Sequence, residues 1–290
     1  MNNSGYNCLH VTLTKLCFKL SLVVGMMGML FLLSGCTEEL VDDRVASQQE
    51  ISLSGAIEQQ NTTRVNDVGF VAGDRMGVYI VDYQDAHPGT LMLRGNRANN
   101  YALTLNAASD CWEGNGSIYW KDNQTAIDIY GYYPYDNGME SVTEHIFTIQ
   151  VDQSEKGGNG TISGYERSDF LWAKKTNVQP TSELIELNFE HRMAGIKVIL
   201  QQGTGFVGEE WNKSKRVVTI ENTILSAHIN MGTGVVTPLE ADGRSIIAAS
   251  QGDDIYRAVV IPQIVSGGKA IIGITIDGIS YKYVLGEDIK

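Results

Sequence analysis

Short runs of β-branched and aromatic residues, closed by Gly, Asn or Asp, recur along the chain from residue 50 onward. Each run is about 4–9 residues long, as is typical of the strands of a β-sandwich. No stretch of about 12 residues combines the spacing of an amphipathic helix with caps at both ends. The pattern predicts an all-β fold. The clearest predicted strands are Glu50–Ile57, Arg75–Tyr83, Tyr101–Leu105, Ser117–Trp120, Ala126–Tyr133, His145–Val151, Glu183–Phe189, Gly195–Gln202, Arg216–Glu221, Leu225–Asn230, Ile255–Pro262, Lys269–Ile276 and Ser280–Leu285.

Two sequence features predict a turn and a domain boundary within this all-β fold. Asp277-Gly278 separates the last two runs, and Asp-Gly is a strong signal for a two-residue hairpin turn. A polar, Pro-containing segment at 176–182 separates two halves that are each rich in strands. We therefore expect an N-terminal β-sandwich over 50–176 and a C-terminal β-sandwich over 177–290.

The N-terminus has the features of an export signal. Residues 1–35 contain Lys15 and Lys19, no acidic residue, and an apolar stretch over 20–33. That stretch is shorter than the ~20 residues that span a bilayer, so a secretory signal over 1–35 is predicted. Leu33-Ser34-Gly35-Cys36 resembles the bacterial lipoprotein signal, which implies that Cys36 becomes the first residue and carries acyl chains such as palmitate. The alternative is an ordinary signal peptide with a chance cysteine.

Residues 36–49 are predicted to form an acidic, flexible tether. The acidic cluster over 37–43 resembles the surface-export signal of Bacteroidales lipoproteins, although a solvated tether would also be acidic. Two or more acyl chains anchor a protein stably to a membrane. We therefore expect an outer-membrane lipoprotein exposed at the cell surface, tethered rather than spanning the membrane.

Charge and cysteine content indicate which partners and which cysteine chemistry to expect. The full chain carries 22 basic and 34 acidic residues, a net charge of −12. Loss of Lys15 and Lys19 with the signal leaves 20 basic residues and a net charge of −14. This balance argues against a nucleic-acid partner, because phosphate binding needs clustered Lys and Arg. With Cys8 and Cys17 removed and Cys36 acylated, Cys111 is expected to be a lone thiol.

Catalytic templates are missing from the sequence. It contains no His-Glu-x-x-His pair, Cys-x-x-Cys pair, Gly-x-Ser-x-Gly elbow or Walker loop. Gly203-Thr-Gly205-Phe-Val-Gly208 resembles a dinucleotide fingerprint, but the following residues are too few and too polar for the helix that it requires. The histidines are scattered without metal-ligand spacing. We expect no enzyme activity, no cofactor and no metal.

Seven aromatic residues crowd into residues 112–135. Aromatic faces suit the apolar surfaces of sugar rings, so Trp112, Trp120 and Tyr133 are candidates for stacking on a glycan. The alternative, which we favour, is a sandwich core with tyrosines at its rim.

Several motifs together resemble the fimbrillin family of Bacteroidales, the Mfa-like group. The resemblance spans roughly residues 50–285 and rests on the order and spacing of the motifs, no one of which is decisive. In addition to the lipoprotein signal, the matching segments are Glu50-Ile-Ser-Leu-Ser, Thr63-Arg64, Phe70-Val-Ala-Gly-Asp-Arg-Met-Gly-Val-Tyr79, Ile118-Tyr-Trp120, Ile129-Tyr-Gly-Tyr-Tyr-Pro-Tyr135, Ser168-Asp-Phe-Leu-Trp-Ala173 and Leu187-Asn-Phe-Glu-His-Arg-Met-Ala194.

This resemblance implies two tandem transthyretin-like β-sandwich domains and a structural or accessory role in fimbriae, supporting adhesion. In shaft subunits of the family, an Arg-specific protease removes the N-terminal strand, and the groove accepts a C-terminal strand of another subunit. Arg44 and Arg64 are the candidate cleavage positions, and only a cut at Arg64 would release the first strand. Family members usually continue past the point where this chain ends. The sequence is thus either truncated or that of a subunit that receives a strand without donating one.

The sequence also fits a second class of protein, one that binds carbohydrate. A carbohydrate-binding outer-membrane lipoprotein of a glycan-uptake system would also be acidic, lipidated and all-β. It is favoured if the aromatic residues of 112–135 line one exposed face, and disfavoured if they are buried.

Overall fold

Strands form nearly all of the regular structure in the computed structural model, which describes residues 49–58, 69–158, 161–206, 210–239 and 243–288. These residues belong to a unit over 49–290 that is separate from residues 1–48. The strands are β1 (Leu53–Ile57), β2 (Arg75–Asp82), β3 (Ala98–Leu105), β4 (Trp112–Gly114), β5 (Ile127–Tyr133), β6 (His145–Thr148), β7 (Leu171–Val178), β8 (Ile185–His191), β9 (Ala194–Ile199), β10 (Arg216–Thr223), β11 (Ser226–Ile229), β12 (Val236–Pro238), β13 (Arg244–Ile247), β14 (Ala249–Ser250), β15 (Ile255–Val260), β16 (Ala270–Ile276) and β17 (Ile279–Val284). Two four-residue helices, α1 (Gly164–Arg167) and α2 (Glu210–Lys213), complete the elements.

The all-β prediction is confirmed, and most predicted strands are found within one to three residues of their expected ends. Ser117–Trp120 is the exception, because it contributes only an isolated bridge from Tyr119 to Glu50. The prediction missed β7, in which three apolar residues are followed by polar ones, so that no alternation is visible in the sequence. It also missed the short strands β4, β12, β13 and β14.

A seven-stranded sheet with the order β1-β8-β7-β5-β2-β3-β4 organises the first half of the described chain. Its two faces pack into two different hydrophobic cores. The first core takes Tyr79, Tyr132 and Trp172 together with residues of β9–β11, β13 and β15. The second core takes Leu53, Val78, Ile129 and other residues of the opposite face. Every residue of β5 is buried, because both faces of this central strand are covered.

The boundary predicted between residues 176 and 177 is misplaced. It falls inside β7, which pairs with β5 on one side and with β8 on the other. The polar segment that suggested a linker contains the end of β7 and much of the connection to its antiparallel neighbour β8. A hairpin loop and a linker have similar compositions. In addition, β6 pairs with β11 of the second half. A division into two sandwiches, at another point, stays a prediction.

The second half forms smaller sheets. One has the order β13-β10-β16-β17, and another has the order β14-β15-β9. The predicted hairpin turn joins β16 and β17, with positive φ at both Asp277 (47°) and Gly278 (87°). Two consecutive positive φ angles are the geometry of the tight hairpin turn that Asp-Gly favours.

Candidate assembly groove

The N-terminal strand β1 occupies one edge of the seven-stranded sheet. It runs parallel to β8, in a register that pairs Leu53 with Ile185 and Ile57 with Phe189. Backbone bonds of 2.9 Å join Ile185 N–H to the Ser52 carbonyl and Glu58 N–H to the Phe189 carbonyl. Within the described residues, β1 is thus joined to the sheet through a single neighbouring strand.

The segment that leads into β1 is held from a second direction. Ile51 N–H donates to the Ile118 carbonyl at 2.7 Å, and Trp120 N–H donates to the Gln49 carbonyl at 2.9 Å. Ile51 and Leu53 are both buried in the second core. Removal of residues 49–58 would therefore expose an apolar groove bordered by β8 and by residues 118–120.

Aromatic rings line the second core beside β1. Phe70 packs edge-on against Trp112, Tyr133 and Phe189, with ring centroids 5.1, 5.3 and 5.3 Å apart. Edge-to-face packing at these distances is favourable because the positive ring edge meets the negative face. Phe70 therefore joins β4, β5 and β8 in one cluster next to β1.

Gly55 at the centre of β1 lies against this aromatic cluster. A Cβ atom on Gly55 would lie 3.0 Å from Phe189 Cε2 and 3.2 Å from Phe70 Cε2. Sequence reasoning did not single out Gly55, Phe70 or Phe189 as site residues. The available signal was a glycine inside a strand pattern, which often marks a close approach of neighbouring groups.

A buried carboxyl group lies beneath the aromatic cluster. Asp74 is buried, accepts a hydrogen bond from Tyr133 Oη at 2.9 Å through Oδ1, and accepts another from Val71 N–H at 2.7 Å through Oδ2. Desolvation raises the pKa of Asp74 above its ordinary value despite these two bonds. Burial, together with the neighbouring Asp74 charge, raises the pKa of Tyr133 as well. Asp74 lies in the segment 70–79 that carries part of the family resemblance.

The three lipidation and processing candidates, Cys36, Arg44 and Arg64, lie outside the described residues. Their roles as acylation and cleavage positions stay predictions.

The glycan candidates are not arranged as an exposed platform. Trp120 is 2% exposed and Tyr133 is 7% exposed, so neither presents its ring face to solvent. Trp120 Nε1 donates to the Thr181 carbonyl at 3.1 Å. Trp112 is half-buried and packs against Phe70. Of the aromatic residues at 112–135, only Tyr119 is exposed by more than a third (41%). The geometry places these aromatics mainly in the core.

Cys111 is disulfide-bonded in this structure. The expectation of a lone thiol concerns the mature chain, after loss of residues 1–35 and acylation of Cys36, so it stays a prediction.

The described residues contain no group of three or more His, Cys, Asp or Glu placed to hold a metal ion. None of the helices in this part of the chain is long and apolar enough to cross a membrane. The loop that resembles a dinucleotide fingerprint leads into α2, a helix of four residues.

The opposite end of the chain presents a second edge. Among the described residues, β17 pairs with β16 alone, and all six of its residues are exposed. Ile279, Tyr281 and Tyr283 alternate along one face. Unpaired backbone groups with alternating apolar side chains form a template for strand addition.

The fold and the groove define an all-β protein with a peripheral strand built into an apolar core. A family described as fimbrillin-like matches residues 63–290. Because this match covers well over half of the chain, the chain belongs to the fimbrillin-like family. The family resemblance inferred from the sequence motifs is thereby confirmed.

Two curated relatives are similar to this chain. A protein named "Putative fimbrium tip subunit Fim1C" from Bacteroides ovatus is 26% identical over 204 residues, which are 63% of this chain and 35% of that protein. The chain therefore spans about a third of the length of this relative. A "Putative fimbrium subunit Fim1C" from Bacteroides uniformis is 22% identical over 246 residues, which are 83% of this chain and 74% of that protein.

Solved structures share the fold. The crystal structure of a "putative cell adhesion protein" from Bacteroides uniformis has a TM-score of 0.56 at 18% identity, covering 81% of this chain and 84% of that one. A second structure described in the same words, from Bacteroides ovatus, has a TM-score of 0.56 at 17% identity, covering 83% and 89%. These likenesses concern the fold alone.

Proposed function

We propose that this protein is a structural or accessory subunit of a surface fimbrium, assembled by exchange of its N-terminal strand for a strand of another subunit. The observation that carries the proposal is the position of β1, an edge strand whose side chains fill an apolar core. Loss of such a strand leaves unpaired backbone groups on β8 and uncovered side chains of the second core. A second strand that inserts there would bury both again.

Arg64 is the processing position that fits this proposal. It lies in segment 59–68, between β1 and Phe70, so a cut after it separates β1 from the rest of the sheet. Arg44 precedes β1, and a cut there would leave the strand attached. Mass spectrometry of the N-terminus of protein taken from cells tests this step. A new N-terminus at Val65 supports strand release, whereas an N-terminus that always precedes residue 50 contradicts it.

Anchoring through Cys36 is the second part of the proposal. The resemblance of residues 33–36 to a lipoprotein signal supports acylation of Cys36, with residues 36–49 as an acidic tether. An acylated precursor would hold the subunit at the outer membrane until it is processed or incorporated. The same mass spectra test this part, because acylation adds a diagnostic mass to the N-terminal peptide beginning at Cys36.

The proposal includes two domains of the transthyretin-like β-sandwich type. The strand content supports them if the division between the domains follows β8, because a division at residue 176 would cut β7.

The glycan-uptake alternative receives less support. Trp120 and Tyr133, two of its three stacking candidates, are buried. An affinity gel containing glycans would test it through the mobility of the purified protein.

A further inference from the structure

Strand β1 meets the second core through alternate residues, and these residues differ sharply in size. Ile51, Leu53, Gly55 and Ile57 follow each other at intervals of two, so they point toward the same face. Ile51 and Leu53 are buried, and Ile57 packs against the same core. A glycine thus interrupts a row of branched aliphatic side chains at the position paired with Leu187.

Two phenylalanine rings fill the space that a side chain at residue 55 would need. A Cβ atom there would lie 3.0 Å from Phe189 and 3.2 Å from Phe70. Favourable contacts between carbon atoms lie at about 3.5–4.0 Å. The first atom of any side chain would therefore lie closer to both rings than an ordinary contact, and the rings would have to shift. A branched side chain would require a larger shift.

The Phe189 ring is packed between β1 and β5. It is fully buried, and its other side faces Gly131 of β5. A Cβ atom on Gly131 would lie 2.8 Å from Phe189 Cζ, so the ring is already close to this second glycine backbone. Phe70 is held in turn by Trp112 and Tyr133. The space opposite residue 55 is therefore lined by rings that have packed neighbours of their own.

We propose that the groove under β1 selects its occupant by a central glycine. The partner strand, from another fimbrial subunit, carries glycine at the position of Gly55 and aliphatic residues two positions away on each side. The distances behind this requirement are those of a strand parallel to β8, as β1 is. The inference rests on the proposed function, because it names the kind of strand that replaces β1.

The requirement excludes β17 of a second copy as the occupant. One face of β17 carries Ile279, Tyr281 and Tyr283, and the other carries Ser280, Lys282 and Val284. Neither face contains a glycine, and a tyrosine in place of Gly55 would have to displace the Phe189 ring. The structure therefore favours a heterologous donor over self-assembly through β17.

Peptide exchange tests the glycine requirement. A single protease site placed within residues 59–64 of the full chain allows one cut, after which fluorescent peptides with the sequence of residues 49–58 compete for the groove. We expect the native peptide to bind and a Gly55→Val peptide to bind at least about tenfold more weakly. A Ser54→Val peptide is the matched control, since residue 54 points to the other face, and it should bind like the native peptide. A peptide of residues 277–286 should not compete.

Different peptide-binding results would overturn the glycine requirement and the proposed strand exchange. Binding of the native and Gly55→Val peptides with equal affinity would overturn the glycine requirement and leave strand exchange intact. Equally tight binding of the 277–286 peptide would also overturn it. Failure of the native peptide to bind would overturn strand exchange itself, and the inference with it.

A measurement on the uncut chain checks the packing without exchange. Gly55→Ala should lower the denaturant midpoint of unfolding in the Phe189 chain, and by less in a Phe189→Leu chain, because the smaller side chain makes room for the new methyl group. An identical decrease in both backgrounds would show that Phe189 does not set the size limit at residue 55.

Discussion

The Tyr133 hydroxyl donates a hydrogen bond of 2.9 Å to Asp74 Oδ1, and both side chains are buried beneath the aromatic cluster of the groove. Tyr133 ends β5 and Asp74 precedes β2, so this bond joins two neighbouring strands of the central sheet. The ring of Tyr133 also packs against Phe70. A polar pair thus fixes the ring that supports one side of the groove.

Removal of the Tyr133 hydroxyl should destabilise the protein. Tyr133→Phe keeps the ring but leaves Asp74 Oδ1 without its donor, and an unsatisfied buried acceptor costs about 1–3 kcal/mol. Chemical denaturation should show a loss of that size in the free energy of unfolding. Tyr119→Phe is the control, because Tyr119 is exposed, and it should change the value by less than about 0.5 kcal/mol. Equal effects of both substitutions would contradict a structural role for the bond.

The raised pKa of Asp74 predicts a pH dependence of stability. Because the folded state holds the proton more tightly than the unfolded state, this contribution is fully present below the unfolded pKa of about 3.9 and is lost as the pH rises through the folded pKa. The stability of the wild type relative to Asp74→Asn should therefore increase as the pH falls through this window.

Denaturation curves of the wild type and Asp74→Asn between neutral and acidic pH measure this difference. Glu140→Gln serves as the control for loss of one exposed carboxylate, since Glu140 lies on the surface. A wild-type advantage over Asp74→Asn that shrinks on acidification would mean that the carboxyl pKa is lowered, contrary to its desolvated position.

Truncation of an apolar side chain of β1 should weaken the groove. Leu53→Ala removes most of a buried side chain from the second core and should cost about 2–5 kcal/mol in the free energy of unfolding. Ile264→Ala, at a position that is 66% exposed, is the matched control and should have little effect. If Leu53→Ala were as mild as Ile264→Ala, β1 would not be an integral part of the core.

Substitution of the proposed acylation site should release the protein from the membrane. Cys36→Ser removes the thiol that would accept the lipid, and we expect the protein to leave the membrane fraction and to lose label from radioactive palmitate. Cys111→Ser is the control and should keep both properties. Continued labelling and membrane recovery of Cys36→Ser would show that anchoring uses another group.

Replacement of Arg64 should block release of the first strand. In cells that assemble fimbriae, Arg64→Ala should retain residues 49–58 on the subunit and reduce its incorporation, whereas Arg44→Ala should leave incorporation unchanged. The mass of the subunit recovered from sheared fimbriae reports the cut. Normal processing and incorporation of Arg64→Ala would exclude Arg64 as the processing position.

Particular elements show how far the sequence could predict this fold. The hairpin between β16 and β17 was predictable because Asp277 and Gly278 impose their own turn geometry. β5 was recognisable although it alternates poorly, and the structure explains that pattern by its burial on both faces. β7 escaped prediction because its polar second half resembles a loop, and that error misplaced the domain boundary.

The groove was less visible in the sequence than the strands that form it. The role of β1 depends on its parallel pairing with β8, a strand about 130 residues away in the sequence, and such long-range pairings leave no local pattern. The aromatic candidates were chosen by composition, yet composition does not say which rings face solvent. Gly55 and Phe189 become meaningful only when the sheet brings them together.

Photo-crosslinking in assembled fimbriae tests the central claim most directly. Glu186 is exposed on β8 and pairs with Ser54 of β1, so a photoreactive amino acid at residue 186 reports which strand occupies the groove. The same substitution at Glu140, an exposed residue next to Met139 of the first core, is the control. We predict that illumination links residue 186, and not residue 140, to a strand of a second subunit. Crosslinks from residue 186 that lead only to residues 49–58 of the same chain would contradict assembly by strand exchange at this groove.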